Sequence, residues 1–243
     1  MKTITNPINL ARSAADDYVK CYGPELVSIA VYGSAAGPEF DQKKSDINLL
    51  VVLSSMTLQM LEKSRYIQET WMKKRFSRPL FMDKEYIANS LDSFPIEFLS
   101  MKERYIVIFG EDVLKDLPID AKYVRLQAER ELKGKWLHLM QEWPSVKKHP
   151  KRLSGLIRVS MGDFSVIFRS LLYLKGLPIP PERMALFAAI SSAFGLENKP
   201  LERTLEAFRS GNGKAMAAIF PDYSKAIRIL SKSIDQLTLK ETP

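Results

Sequence analysis

The sequence predicts an α+β protein: a half of mixed strands and helices, followed by an all-helical bundle. Three observations carry that prediction. Short apolar runs rich in Val, Ile and Leu, bounded by Gly, Ser and Pro, recur as far as Gly110, the pattern of buried strands. Beyond Asp120 the apolar positions recur at helical spacing instead. The change falls at Pro118 to Lys122, which divides the chain into residues 1–119 and 120–243.

Taken in order, Asn6-Pro7 supplies a helix cap and first helical residue. Ile8, Ala11, Ala15, Tyr18 and Tyr22 then follow on one face, and Gly23-Pro24 stops the helix. Leu26 to Tyr32 reads as a buried strand that ends abruptly at Gly33-Ser34, and Ile47 to Leu53 as a second, entered through Ser45-Asp46. Thr57 caps a helix expected to reach Phe76, and Pro79 to Met82 is a third extended piece. Phe94 to Met101 and Tyr105 to Phe109 read as two further strands separated by Lys102-Glu103-Arg104.

In the second half, Leu132, Trp136, Leu139, Met140 and Trp143 share a helical face. Glu129 with Lys133, and Glu131 with Lys135, stand in the favourable i,i+4 order. Pro144 to Pro150 reads as a basic linker, and Leu153 to Leu172 as a long apolar-faced helix. A helix from Pro181 to Phe194 and a short one around Leu205 follow. The last is expected from Asp222, with Tyr223, Ala226, Ile227, Leu230, Ile234 and Leu237 on one side. Arg158 stands within the otherwise apolar long helix and Arg169 falls eleven residues later on the same face. A buried arginine calls for a partner, a protein acid such as Asp163 or Glu129 before a substrate phosphate.

Composition narrows the chemistry. One cysteine, Cys21, excludes an internal disulfide framework and a cysteine zinc cluster, and two histidines, His138 and His149, argue against a histidine metal site. There is no apolar run of membrane-spanning length and no secretory leader pattern, so no membrane partner and a cytoplasmic setting are expected. The net charge of +8 favours polyanionic partners.

The informative stretch is Ile29-Ala30-Val31-Tyr32-Gly33-Ser34, eleven residues, then Asp46-Ile47-Asn48-Leu49. Period-2 geometry puts Asp46 and Asn48 on one face of the second strand, able to aim two oxygens at a Mg²⁺ beside a triphosphate. Gly33 lets backbone amides approach phosphate, and the Ser34 hydroxyl adds a hydrogen bond.

This order resembles the polymerase-beta-like nucleotidyltransferases, in which a strand ending in Gly-Ser is followed about a dozen residues later by Asp-x-Asp or Asp-x-Glu, with a third carboxylate from a later strand. Gly33, Ser34 and Asp46 match that pattern, over a resemblance spanning Leu26 to Gly110. It implies a nucleotidyltransferase-fold sheet, with the helical domain helping to bind a second substrate. It further implies a nucleoside triphosphate as substrate and Mg²⁺ or Mn²⁺ held by Asp46, Asn48 and Glu97. Gly33 and Ser34 would hold phosphates, and Glu97, in Pro95-Ile96-Glu97-Phe98-Leu99, would act as general base toward a small-molecule, protein or RNA-end acceptor. Two positions depart from the pattern: Asn48 stands where a second acid is expected, and Ala36 where relatives often carry arginine.

Asn48 keeps a rival reading open, a non-catalytic nucleotide-binding or regulatory protein. A nucleic-acid-binding module is a third, based on Lys147-Lys148-His149-Pro150-Lys151-Arg152, although such a loop is usually just solvated and no aromatic residues are interleaved with it for base stacking. A homodimer through the helical half is the remaining partner expectation.

Overall fold

The computed structural model describes residues 3–237. The chain divides into two compact units, Met1–Ile119 and Asp120–Pro243.

Among its described residues the first unit is built on four strands, β1 (Leu26–Tyr32), β2 (Asn48–Leu53), β3 (Leu80–Asp83) and β4 (Tyr105–Gly110), in the order β3-β2-β1-β4. β1 is antiparallel to both β2 and β4, and β2 is parallel to β3. Helix α1 (Pro7–Tyr22) covers one face of the sheet. Its Asn6 side chain accepts from the Asn9 amide, and Pro7 opens the first turn. Ala11, Ala14, Ala15, Tyr18 and Tyr22 pack there with Ile29, Val31, Leu49, Val51 and Leu53. The opposite face carries Leu50, Val52 and Met82, covered by Ile87 of α4 (Lys84–Asn89) and by Phe98 and Met101 of α5 (Pro95–Glu103). Period-2 alternation of apolar residues on both faces explains why β1 and β2 are nearly unbroken apolar runs.

Between β2 and β3, Thr57 caps as expected, its Oγ1 accepting from the Met60 amide. The single long helix expected from it is instead two, α2 (Leu58–Lys63) and α3 (Arg65–Met72), broken at Ser64. Ser64 is fully buried; its hydroxyl donates to the Leu61 carbonyl and receives Gln68 Nε2, local bonding that competes with helix continuation.

The strand expected from Phe94 to Met101 is the helix α5. Pro95 removes a ladder donor and starts a helix well, and an apolar run this short fits either period. Ile96, Phe98, Leu99 and Met101 are all buried, whereas Glu97 is exposed.

Among the described residues the second unit is five helices: α6 (Ala121–Val146), α7 (Pro150–Leu174), α8 (Arg183–Ala193), α9 (Pro200–Arg209) and α10 (Gly213–Asp235). The linker expected from Pro144 is shorter, because α6 continues through that proline to Val146. Likewise α10 begins at Gly213, capped by Asn212, and passes through Pro221 rather than starting after it. Each proline follows a ring of one stacked pair: Trp143 lies parallel to Phe220 at 4.3 Å. Tyr223, Ala226, Ile227, Leu230 and Ile234 are buried as their spacing required. The two i,i+4 pairs form, Lys133 to Glu129 at 2.7 Å and Lys135 to Glu131 at 3.6 Å. Arg158 is exposed, and Arg169 donates to the Pro181 carbonyl. The acids proposed for them are engaged by Lys135, Lys133 and Arg125.

Candidate functional site

The candidate site lies at the end of β1 and the start of β2. Tyr32 pairs with Asn48, so the turn at Gly33 opens directly beside the first residue of β2. Gly33 has φ +75°, a conformation that an L side chain adopts at a cost of about 1–2 kcal/mol. Its amide donates to the Arg104 carbonyl, which ties the turn to the start of β4. A Cβ on Gly33 would lie 3.4 Å from Asn48 Nδ2. Thus Gly33 and Asn48 are brought together, and Ser34 follows in a single 3-10 turn from Gly33 to Ala36.

Asn48 is held by its own partner. Its Oδ1 accepts a 2.6 Å hydrogen bond from the Ser77 hydroxyl. It shares the sheet face of Leu50 and Val52, the face covered by α4 and α5.

Asp46 lies just before β2, in the loop that follows the Gly-Ser turn. That loop is organised by Asp41, whose carboxylate accepts from the Lys43 and Lys44 amides. The Lys43 amide bond, above all, holds the Asp41 carboxyl below its ordinary range. Arg75 clamps the same loop from the far end of α3. Its Nη1 donates to the Gln42 carbonyl at 2.8 Å and its Nη2 to the Ser45 carbonyl, while the Arg75 carbonyl accepts from the Ile47 amide. The Arg75 side chain is only 9% exposed, and its Nε faces Asp46 Oδ1 at 3.9 Å. With Asp46 itself 59% exposed, that ion pair contributes about 0–1 kcal/mol; the two carbonyl bonds are the stronger constraint.

A second guanidinium reaches the loop from the bend between α5 and β4. Arg104 lies against Gly37, where a Cβ would meet its Cδ at 3.0 Å, and pairs with Glu39 at 2.7 Å. The sequence places Ala36 where an arginine was expected, and Arg104 brings one to the adjacent turn from the bend that follows α5. Arg75, Arg104 and Ser77 were not legible as site residues, since none belongs to a local motif. The only sequence signal was the basic run Lys73-Lys74-Arg75.

Glu97 is not where the third carboxylate was expected. It stands in the first turn of α5, not on a strand beside β1. Among the described residues no group of three His, Cys, Asp or Glu side chains could hold a metal ion. A pre-built carboxylate cage is therefore not what this arrangement offers. Asp46 as a single exposed carboxylate still fits the way Mg²⁺ is commonly held, by one or two protein acids and the phosphates of a bound substrate.

No protein-family model and no curated protein sequence matches the chain. Among solved structures, it is similar to the spectinomycin adenyltransferase AAD(9) of Enterococcus faecialis, solved with ATP and spectinomycin. The TM-score is 0.54 at 15% identity, over 93% of this chain and 99% of that one. The shared architecture is a nucleotidyltransferase-fold mixed sheet with flanking helices, followed by an all-helical bundle.

Proposed function

We propose that this chain is a nucleotidyltransferase that binds a nucleoside triphosphate at the Gly33 turn and passes its nucleoside monophosphate to an acceptor. The observation that carries the reading is the left-handed Gly33 turn closing a buried strand directly against Asn48, with Asp46 two residues earlier. The adenyltransferase with the same fold supports it. In this reading Gly33 and Ser34 present backbone and hydroxyl donors to the phosphates. Asp46 and the Asn48 amide oxygen would hold Mg²⁺ or Mn²⁺, which when bound neutralises the triphosphate and favours in-line displacement. Glu97 enters as the general base from the first turn of α5. The acceptor hydroxyl gives up its proton as its oxygen bonds the α-phosphorus, and pyrophosphate leaves.

A non-catalytic nucleotide-binding role is the second reading. It is favoured by the Arg75 guanidinium that faces Asp46 and by the amide at Asn48. Calorimetric titration of ATP, GTP, CTP and UTP, each with and without Mg²⁺, tests the first. Magnesium-dependent binding of one nucleotide by the wild type, lost in Asp46→Ala, is expected. Absence of binding by every nucleotide overturns it. Binding without turnover, in wild type and in Glu97→Gln alike, moves the assignment to the second reading.

A further inference from the structure

We infer that one end of the helical unit is a docking surface for a nucleic-acid backbone. The charge of this protein is unevenly placed. Residues 1–119 carry 15 Lys and Arg against 16 Asp and Glu, a net −1, whereas residues 120–243 carry 21 against 12, a net +9. Part of that excess gathers where α6 ends and α7 and α10 begin. Lys147 and Lys148 follow the last turn of α6, and Lys151 and Arg152 stand in the first turn of α7. Lys214 stands in the first turn of α10. The last joins the group because α10 starts against α7: a Cβ on Gly213 would lie 2.6 Å from Pro150 Cβ. All five side chains belong to exposed residues, and none is paired with an acid among the described residues.

Folding alone does not account for this placement. The N-terminus of a helix is its positive end, where acids stabilise and lysine or arginine destabilises. Neither α7 nor α10 has an acid in its first turn, and both have cations there. In addition, no side chain caps the first amides of α7. A phosphodiester chain would reverse each of these terms at once, pairing the cations and accepting from the free amides. A phosphate backbone, rather than base edges, is the matching ligand, because the cluster has no aromatic residues for stacking. Among acceptor classes this favours a nucleic-acid end, a step that rests on the nucleotidyltransferase reading; the docking surface itself does not.

The test is fluorescence anisotropy of a labelled single-stranded RNA of about 20 nucleotides, titrated with the full chain between about 50 and 200 mM salt. The comparison is with a variant carrying Lys147→Gln, Lys148→Gln, Lys151→Gln, Arg152→Gln and Lys214→Gln. Wild type is expected to bind with affinity falling steeply in salt; the variant should bind about 100-fold more weakly, with the log–log salt slope reduced by about 3. The variant should also melt at a higher temperature, since first-turn repulsion has been removed. Should it fail to fold, Lys147→Gln with Lys148→Gln leaves both first turns intact and must lower the slope by about 1. Asp46→Ala should retain RNA binding, which separates this surface from the nucleotide site. No binding by wild type at the lowest salt, an unchanged slope in the variants, or binding to anionic lipid vesicles that RNA does not displace would each overturn the inference.

Discussion

Asn48 is the residue on which the proposed chemistry turns. Its oxygen already accepts from Ser77 and its nitrogen lies beside the Gly33 turn, so it sits in a shaped position, not on a free surface. Asn48→Asp keeps the shape and the Ser77 bond and adds a charge. A second carboxylate near a dication at an effective dielectric of about 20 contributes on the order of several kcal/mol before desolvation, so a net gain of at least about tenfold in apparent Mg²⁺ affinity is expected. Titrating Mg²⁺ at fixed ATP and following nucleotide binding measures it. No gain would place Asn48 outside the metal's reach and leave it the structural role of tying β2 to Ser77. Loss of an existing activity would show that the amide is the oxygen the site is tuned for.

At the scale of elements, the first unit depends on how β4 closes onto β1. Gly110 has φ +75°, and a Cβ there would lie 2.0 Å from the Val27 carbonyl oxygen. Beside it the Glu111 amide donates to that same carbonyl, and the Ser28 hydroxyl donates to the Glu111 carbonyl at 2.6 Å. Gly110→Ala therefore combines backbone strain with a clash against backbone, and about 3 kcal/mol of destabilisation is expected. Gly33→Ala shares the φ but meets only a side-chain nitrogen at 3.4 Å, so about 1 kcal/mol is expected there. Urea midpoints followed through Trp71 would rank the two, and equal midpoints would contradict the clash. The sequence reveals some of this element plan and conceals the rest. β1, β2 and α1 were legible because their apolar period and their bounding Asn6-Pro7 and Gly33-Ser34 agree with the tertiary environment. α5 was not, because Pro95 to Met101 satisfies either period and the choice is made by Phe98 and Met101 packing onto the sheet. The start of α10 was hidden because Pro221 normally breaks a helix, whereas here Asn212 caps it nine residues earlier. For the candidate site, Gly33, Ser34 and Asp46 were visible as a motif. Arg75 and Arg104 were not, since only folding carries them to the loop.

For the whole molecule, charge is the property that separates the two units. A net +9 on the helical unit works against its compact state through self-repulsion, a term the nearly neutral sheet unit lacks. Salt has two opposing effects on the helical unit. It weakens local pairs such as Lys133 with Glu129 and Asp235, but exposed pairs contribute little. It also screens the repulsion among the uncompensated cations, which reaches out to a Debye length of about 10 Å at 0.1 M and only about 3 Å at 1 M. The repulsive term is the larger, so raising salt from about 50 to 500 mM should stabilise the helical unit by about 1 kcal/mol, or about 4 °C in midpoint. The three tryptophans make the comparison direct: Trp71 belongs to the sheet unit, where its Nε1 donates to Asp17, and Trp136 and Trp143 belong to the helical unit. In Trp71→Phe, fluorescence melting follows the helical unit alone, and the difference from wild type follows the sheet unit. An upward shift confined to the helical signal is the expected outcome. A downward shift would mean that the local ion pairs outweigh the net charge, and equal shifts in both signals would mean that the two units melt as one.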